Sequence, residues 1–331
     1  MTAQTLQTVG ILTDSTASIP RYLIGQLGIE IVPYYIHRGL ETLRDTVDIE
    51  PAEFAAWLAD LAKAPALYAL PPSEVVDRLK QRIIRQDTGD ANSPSELPKT
   101  ANPGPGDYLV GMRNLARHFG SILALTMTSK GSGAYQACRS AIGIFREESP
   151  DMRVEVLDTQ QVAMSHGWAA IEAARAAISG LSFDAVLARA REVSRAGVML
   201  QTNDTLRYLY MGGRIGRAQH LVGTLLRIKP IISMGDGEIV ALGIARGRSR
   251  AYERMVELMQ RHVGEGTRIK VAFTHVAAED HLSKLRAQVA GHFEQVETIV
   301  AELSPALAVH SGPGTVGISF FPAQEDNPIS P

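Results

Sequence analysis

Apolar positions along this 331-residue chain alternate between short continuous runs and helix-spaced patterns. Residues 9–13 predict a strand ending in Asp14-Ser15-Thr16, residues 20–27 a short helix, and 29–36 a second strand. Residues 51–62 predict a helix that opens on proline, a favoured first-turn residue. A stiff turn, Lys99 to Gly106, leads into a helix that starts near Asp107. The run 122–127 predicts a fully buried strand, the small polar residues Thr128 to Gly133 a turn, and the pattern from Ala134 another helix. Strand–helix alternation of this kind indicates a parallel sheet covered by helices. Ligands sit at the carboxyl ends of such strands, where Asp14-Ser15-Thr16 and Thr128–Gly133 both fall.

A strand at 154–157 closes in Asp158-Thr159, and helices at about 160–179 and 183–196 carry the chain away from the first sheet. Runs at 198–201, 228–234 and 238–243 predict strands of a second domain, the last two joined by the hairpin signal Gly235-Asp236-Gly237. Strands at 268–274, 296–301 and 315–321 follow. Between them the expected domains span 8–160 and 161–322. Residues 64–98 break the pattern: Pro71-Pro72 precedes an amphipathic helix with Val75, Val76, Leu79 and Ile83 on one face, followed by a polar loop.

Composition narrows the function classes. A hydrophobic share of 45% supplies ample core, and a net charge of −2 argues against a nucleic-acid footprint. Basic residues still cluster locally at Arg207, Arg214, Arg217, Arg227 and Lys229. The one cysteine, Cys138, excludes an internal disulfide and reads as core. No apolar stretch is long enough to span a membrane, and the first nine residues lack a signal-peptide core. A cytoplasmic protein is expected, without stable membrane insertion.

The candidate chemistry lies in three places. Ser132 and the free amides near Gly133 stand at a predicted helix N-terminus, where dipole and unpaired N–H groups favour an anion. The spacing is neither a P-loop nor a dinucleotide fingerprint, so a small anion such as a carboxylate suits it better than a polyphosphate. Gly212-Gly213-Arg214-Ile215-Gly216-Arg217 reads either as a backbone wrap around an anion or as a helix C-cap with solvated arginines. His310 heads a Gly-Pro-Gly turn and reads equally as structural or functional. A serine-hydrolase triad of Ser132, His310 and Asp14 is permitted by chain order, although the Gly-x-Ser-x-Gly elbow is absent. Histidine spacing suggests no zinc site, and no metal or cofactor is expected.

Seven short motifs, in order, resemble those of the DegV family: Thr13-Asp14-Ser15-Thr16-Ala17, Pro98-Lys99-Thr100, Ser129 to Gln136, Leu157-Asp158-Thr159, Gly212 to Ile215, Ile228-Lys229-Pro230-Ile231, and His310 to Gly314. The resemblance covers about residues 9–320. It implies an α/β, two-domain fold: a Rossmann-like parallel-sheet domain, a smaller carboxyl-terminal α/β domain, and a ligand tunnel between them. It further implies a non-enzymatic carrier that buries one long-chain fatty acid and presents the carboxylate to a fatty acid kinase for acyl-phosphate formation. By position, Thr100, Ser132 and Gly133 match the carboxylate contacts. Asp14, Ser15, Arg214 and His310 match the head-group surroundings, and Arg217 would face the incoming phosphate or partner. Two departures stand beside the match. Thr100-Ala101-Asn102-Pro103-Gly104 lacks two of the usual hydroxyls, and Gly131 replaces the usual apolar residue before Ser132. Residues 64–98 read as an insertion. A serine hydrolase, or a lipid-responsive sensor without a kinase, remain the alternatives.

Overall fold

The computed structural model describes residues 9–63, 97–221 and 228–323. The chain begins with β1 (Gly10–Asp14), α1 (Arg21–Leu27), β2 (Glu30–Val32), β3 (Tyr35–Arg38), β4 (Glu41–Arg44) and α2 (Pro51–Lys63). It continues through β5 (Lys99–Ala101), α3 (Pro105–Ala116), β6 (Ser121–Thr126), α4 (Ala134–Glu148) and β7 (Arg153–Asp158). Next come α5 (Ala163–Ile178), α6 (Phe183–Ala196), β8 (Val198–Thr202), α7 (Arg207–Met211), β9 (Ile228–Gly235) and β10 (Glu238–Arg246). The last elements are α8 (Arg248–Val263), β11 (Arg268–His275), α9 (Glu279–Val289), β12 (Glu294–Glu302), α10 (Pro305–Ser311) and β13 (Val316–Pro322).

A parallel four-stranded sheet, β2-β1-β6-β7, organises the first half. Its two central strands are buried at every position because helices cover both faces. A mixed six-stranded sheet, β10-β9-β8-β13-β11-β12, organises the second. Helix α5 lies between them. Thirteen of its sixteen residues are buried, and alanines allow the close approach on both sides. Trp168 on α5 donates its indole N–H to the Ser319 carbonyl of β13 at 3.2 Å and packs edge-on against Phe321. One apolar cluster accordingly joins Ile11 and Leu125 of the first sheet to Ala272 and Phe321 of the second.

Three local expectations need correction. The predicted strand 29–36 is two strands. Pro33, which cannot donate to a ladder, separates β2 from β3, and β3 leaves the parallel sheet. It forms a small antiparallel sheet, β4-β3-β5, with a hairpin the hydropathy pattern did not announce. The segment expected as a stiff turn starts instead as β5, so Thr100 is a strand residue paired with Ile36. His310 does not head a turn: it occupies the last turn of α10, whose amino end is capped by Ser304 and begins with Pro305. The amphipathic helix expected near 75–83 and the insertion lie outside the described residues, apart from residues 97 and 98, and so does Arg227.

Candidate functional site

The turn after β6 is fixed from behind by buried polar groups. Asp14, fully buried, accepts the Met127 amide at 3.0 Å and the Thr16 amide at 3.1 Å, and also the Thr16 hydroxyl. It therefore ties the ends of β1 and β6 together. Ser15 donates to Asp45 at 2.7 Å and accepts the Tyr34 amide at 3.0 Å. His166 on α5, also fully buried, meets Thr13 at 2.9 Å. Burial holds this imidazole below its usual pKa, against the pull of Asp14, so it is neutral. Asp158, on β7, accepts the Ser129 and Gln160 amides and so shapes the same turn from the other side.

In front of this layer lies a cavity of about 640 Å³, lined by Thr100, Ser132, Gly133, Arg214 and His310 among others. Its far wall is the face of the six-stranded sheet, with Met199, Ile232, Met234 and Ile239. The β9–β10 hairpin reaches across to the turn after β6. Asp236 (φ 50°) and Gly237 (φ 76°) give it a two-residue turn with both central residues left-handed. The Thr128 hydroxyl donates to the Gly237 carbonyl at 2.7 Å, so the hairpin tip closes one side of the cavity. A β-carbon on Gly237 would lie 2.7 Å from that hydroxyl oxygen.

Thr100, Ser132, Gly133, Arg214 and His310 are thus brought to one cavity. Asp14 and Ser15 are not on its wall; they brace the wall from one layer deeper. Arg217 lies outside the lining and is held by the hairpin, donating to the Gly235 carbonyl at 2.8 Å and approaching Asp236 and Glu238 at 3.5 Å. Arg214 bends back to the Gly212 carbonyl at 2.7 Å and makes no ion pair among the described residues.

Each of the two site hydroxyls has a protein partner. Ser132 Oγ accepts the Ala134 amide at 3.2 Å and lies 2.7 Å from the Tyr34 hydroxyl. Burial first, then the Asp14 charge, raises the Tyr34 phenol well above its usual pKa, so it keeps its proton. Thr100 Oγ1 lies 2.8 Å from His310 Nε2. Burial, reinforced by the Arg214 guanidinium, pulls the His310 imidazole down to about 4. The three members of the considered hydrolase triad go to three different partners: Ser132 to Tyr34, His310 to Thr100, Asp14 to the backbone and Thr16. Cys138 is fully buried in α4, and burial pushes its thiol up, as suits a core residue.

Tyr34, Asp45 and His166 were missed by sequence reasoning. Tyr34 sat within an apolar run, where a hydroxyl carries no signal. Asp45 lies just after β4 and His166 in the first turn of α5, neither with motif spacing. Away from the cavity, His275, Glu279 and Glu302 come within 4.8 Å of one another at the ends of β11 and β12. There His275 Nδ1 already accepts the Ala278 amide at 3.5 Å. No helix among the described residues is long and apolar enough to cross a membrane.

Comparison with known proteins places the chain by family and fold. The family model described as "Uncharacterised protein, DegV family" matches residues 8–91 and 88–323. A DegV domain-containing protein of Caldanaerobacter subterraneus is 26% identical over 315 residues, 95% of this chain and 99% of that one. One from Clostridium acetobutylicum is 32% identical over 225 residues, 68% of this chain and 79% of that one. Among solved structures, a fatty-acid-binding DegV family protein from Thermus thermophilus superposes with a TM-score of 0.78. It is 29% identical, over 96% of this chain and 100% of that one. A DegV lipid-binding protein from Thermotoga maritima, 24% identical, shares the fold with a TM-score of 0.76 over 96% of this chain and 99% of that one. With the family model spanning nearly all of it, the chain belongs to the DegV family.

Proposed function

We propose that this protein encloses one long-chain fatty acid and presents its carboxylate to a fatty acid kinase, which phosphorylates it to an acyl phosphate. The carboxylate lies on Thr100, Ser132 and the Gly133 amide, and the chain runs along Met199, Ile232, Met234 and Ile239. One observation carries the reading: both site hydroxyls are backed by uncharged groups, the Tyr34 phenol and the neutral His310 imidazole. Ser132 Oγ accepts the Ala134 amide, and with the phenol as donor in its 2.7 Å bond to Tyr34 the serine's own hydrogen is left for the ligand. With the proton on His310 Nε2, Thr100 is primed the same way. Two such hydroxyls and a helix-terminal amide give the charge-assisted bonds that a buried carboxylate requires. Burial of the chain, at about 0.8 kcal/mol per methylene, offsets the desolvation of the head group.

The fatty acid bound by the Thermus thermophilus relative supports the ligand class. Arg214, at the cavity and without an acidic partner among the described residues, supports the approach of a phosphoryl group. In that step a carboxylate oxygen forms the new bond to the γ-phosphorus of ATP and ADP leaves. The partner supplies the phosphoryl-transfer machinery and this chain the oriented acceptor.

Mass spectrometry of the purified protein, native and after solvent extraction, tests the carrier reading. One C14–C18 fatty acid per chain is expected. Protein that is empty, and that takes up neither palmitate nor oleate, contradicts it. Incubation of loaded protein with ATP and a fatty acid kinase from the same genome, followed by hydroxylamine, should yield the acyl hydroxamate. Failure there with ligand bound removes the kinase step alone.

A further inference from the structure

Two buried side chains on the cavity wall have polar atoms that the protein leaves unused. Gln201 on β8 and Ser311 on α10 are 6% and 7% exposed, and both line the cavity. The orientation of the Gln201 amide is fixed through its neighbour. Asn203 donates its amide hydrogens to the Ser311 carbonyl and to Thr315 Oγ1, both at 2.9 Å. A backbone carbonyl can only accept, so Asn203 Oδ1 is the end turned to Gln201. Gln201 Nε2 must therefore be the donor in the 3.1 Å bond between them. Its carbonyl oxygen is left over, and it has no partner among the described residues. The Ser311 hydroxyl has none either; only its backbone carbonyl is engaged.

The chain of bonds from Gln201 through Asn203 to Ser311 puts both unused groups in one region of the wall. They contrast with three other hydroxyls of the wall. Thr100, Ser132 and Thr128 each have a protein partner. A plain hydrocarbon chain laid against Gln201 Oε1 and Ser311 Oγ would strip them of water and offer nothing in return, a cost of the kind that sets polar specificity. A hydroxyl both donates and accepts, which matches an acceptor carbonyl beside a serine hydroxyl.

Resting on the fatty-acid reading above, we propose that Gln201 and Ser311 form a receiving site for a hydroxyl on the acyl chain, so that hydroxylated long-chain fatty acids are a preferred ligand class of this protein. The serine hydroxyl accepts from or donates to the ligand according to which way the ligand hydroxyl turns, while Gln201 accepts. No covalent step is involved.

The test is competition on delipidated full-length protein between palmitic acid and a series of hydroxypalmitic acids with the hydroxyl at successive carbons. Bound fractions are read by native mass spectrometry. One positional isomer, or two adjacent ones, should outcompete palmitate by about fivefold, the size of one matched hydrogen bond. In Gln201→Leu the preference should turn toward palmitate, and in Ser311→Ala, on a separate element, it should shrink. Palmitate bound normally with no positional preference, or a preference unchanged in both variants, overturns this proposal alone. Failure of the wild-type protein to bind any of the acids overturns the carrier reading and this proposal with it.

Discussion

A β-carbon on Gly212 would lie 2.1 Å from His310 Nδ1 and 2.7 Å from its Cε1. The helix cap after α7 therefore forms a flat floor on which the imidazole rests, with Nε2 held toward Thr100. Gly212 caps α7, as the helix C-cap reading of the Gly-Gly-Arg segment expected, and Arg214 lines the cavity. The motif was legible in the sequence, but its purpose was not, because the histidine it supports is about a hundred positions away. Gly212→Ala should displace the ring and lower palmitate affinity about tenfold, the loss of one supported hydrogen bond. Adding Thr100→Ala to that variant should cost little more, since both act through one interaction. Additive losses in a double-mutant cycle would separate the two residues. His310 also carries a pH dependence. Its imidazole titrates near 4 in the folded protein and near 6.5 unfolded, so its contribution is intact above 6.5. As pH falls from 6.5 to 4 the unfolded chain takes up a proton that the fold resists. Up to about 3 kcal/mol of stability goes in that window. Urea titrations at pH 7 and 4.5 should show a smaller acid loss in His310→Gln than in wild type.

The strands of the parallel sheet were readable because β1 and β6 are near-continuous apolar runs bounded by polar turns. The small sheet was not. β3 and β4 are only four residues each, nearly all exposed or partly exposed, and β5 lies next to proline and glycine, so neither period nor length marks them. Their job is positional. β5 carries Thr100, and the end of β4 leads into Asp45, which takes the Ser15 hydroxyl in the layer behind the cavity. Burial pushes the Asp45 carboxyl up to about 7, against the pull of the Ser15 and Ser304 hydroxyls. Ser304 caps α10, so one of the hydroxyls that lower this carboxyl's pKa belongs to the helix that holds His310. The folded state binds the proton more tightly than the unfolded chain. This group's contribution is therefore full below about 3.8 and is lost as pH rises toward 7. Asp45→Asn removes that titration: the variant's melting temperature relative to wild type should climb between pH 5 and pH 8. A difference that stays flat with pH would mean Asp45 is not held in this way.

The two sheets are joined by α5 into one continuous core, and the cavity opens where the first sheet's carboxyl ends face the second sheet. That arrangement explains why motifs scattered from Thr100 to His310 converge on one place, and why Asp14 and Ser15 act from behind it instead of on its wall. The motifs that carry the resemblance pointed to five residues that line the cavity, Thr100, Ser132, Gly133, Arg214 and His310. The backing groups Tyr34, Asp45 and His166 became visible only when distant segments were packed together. The most direct test follows the ligand's head group itself, by carbon-13 NMR of palmitate labelled at the carboxyl carbon and bound to the delipidated protein. A single resonance is expected, distinct from free palmitate, that stays in the ionised range down to about pH 5 and moves in both Thr100→Ala and Ser132→Ala. A bound resonance that is unchanged in both variants, or that titrates like palmitate in solution, would contradict a carboxylate held by those two hydroxyls.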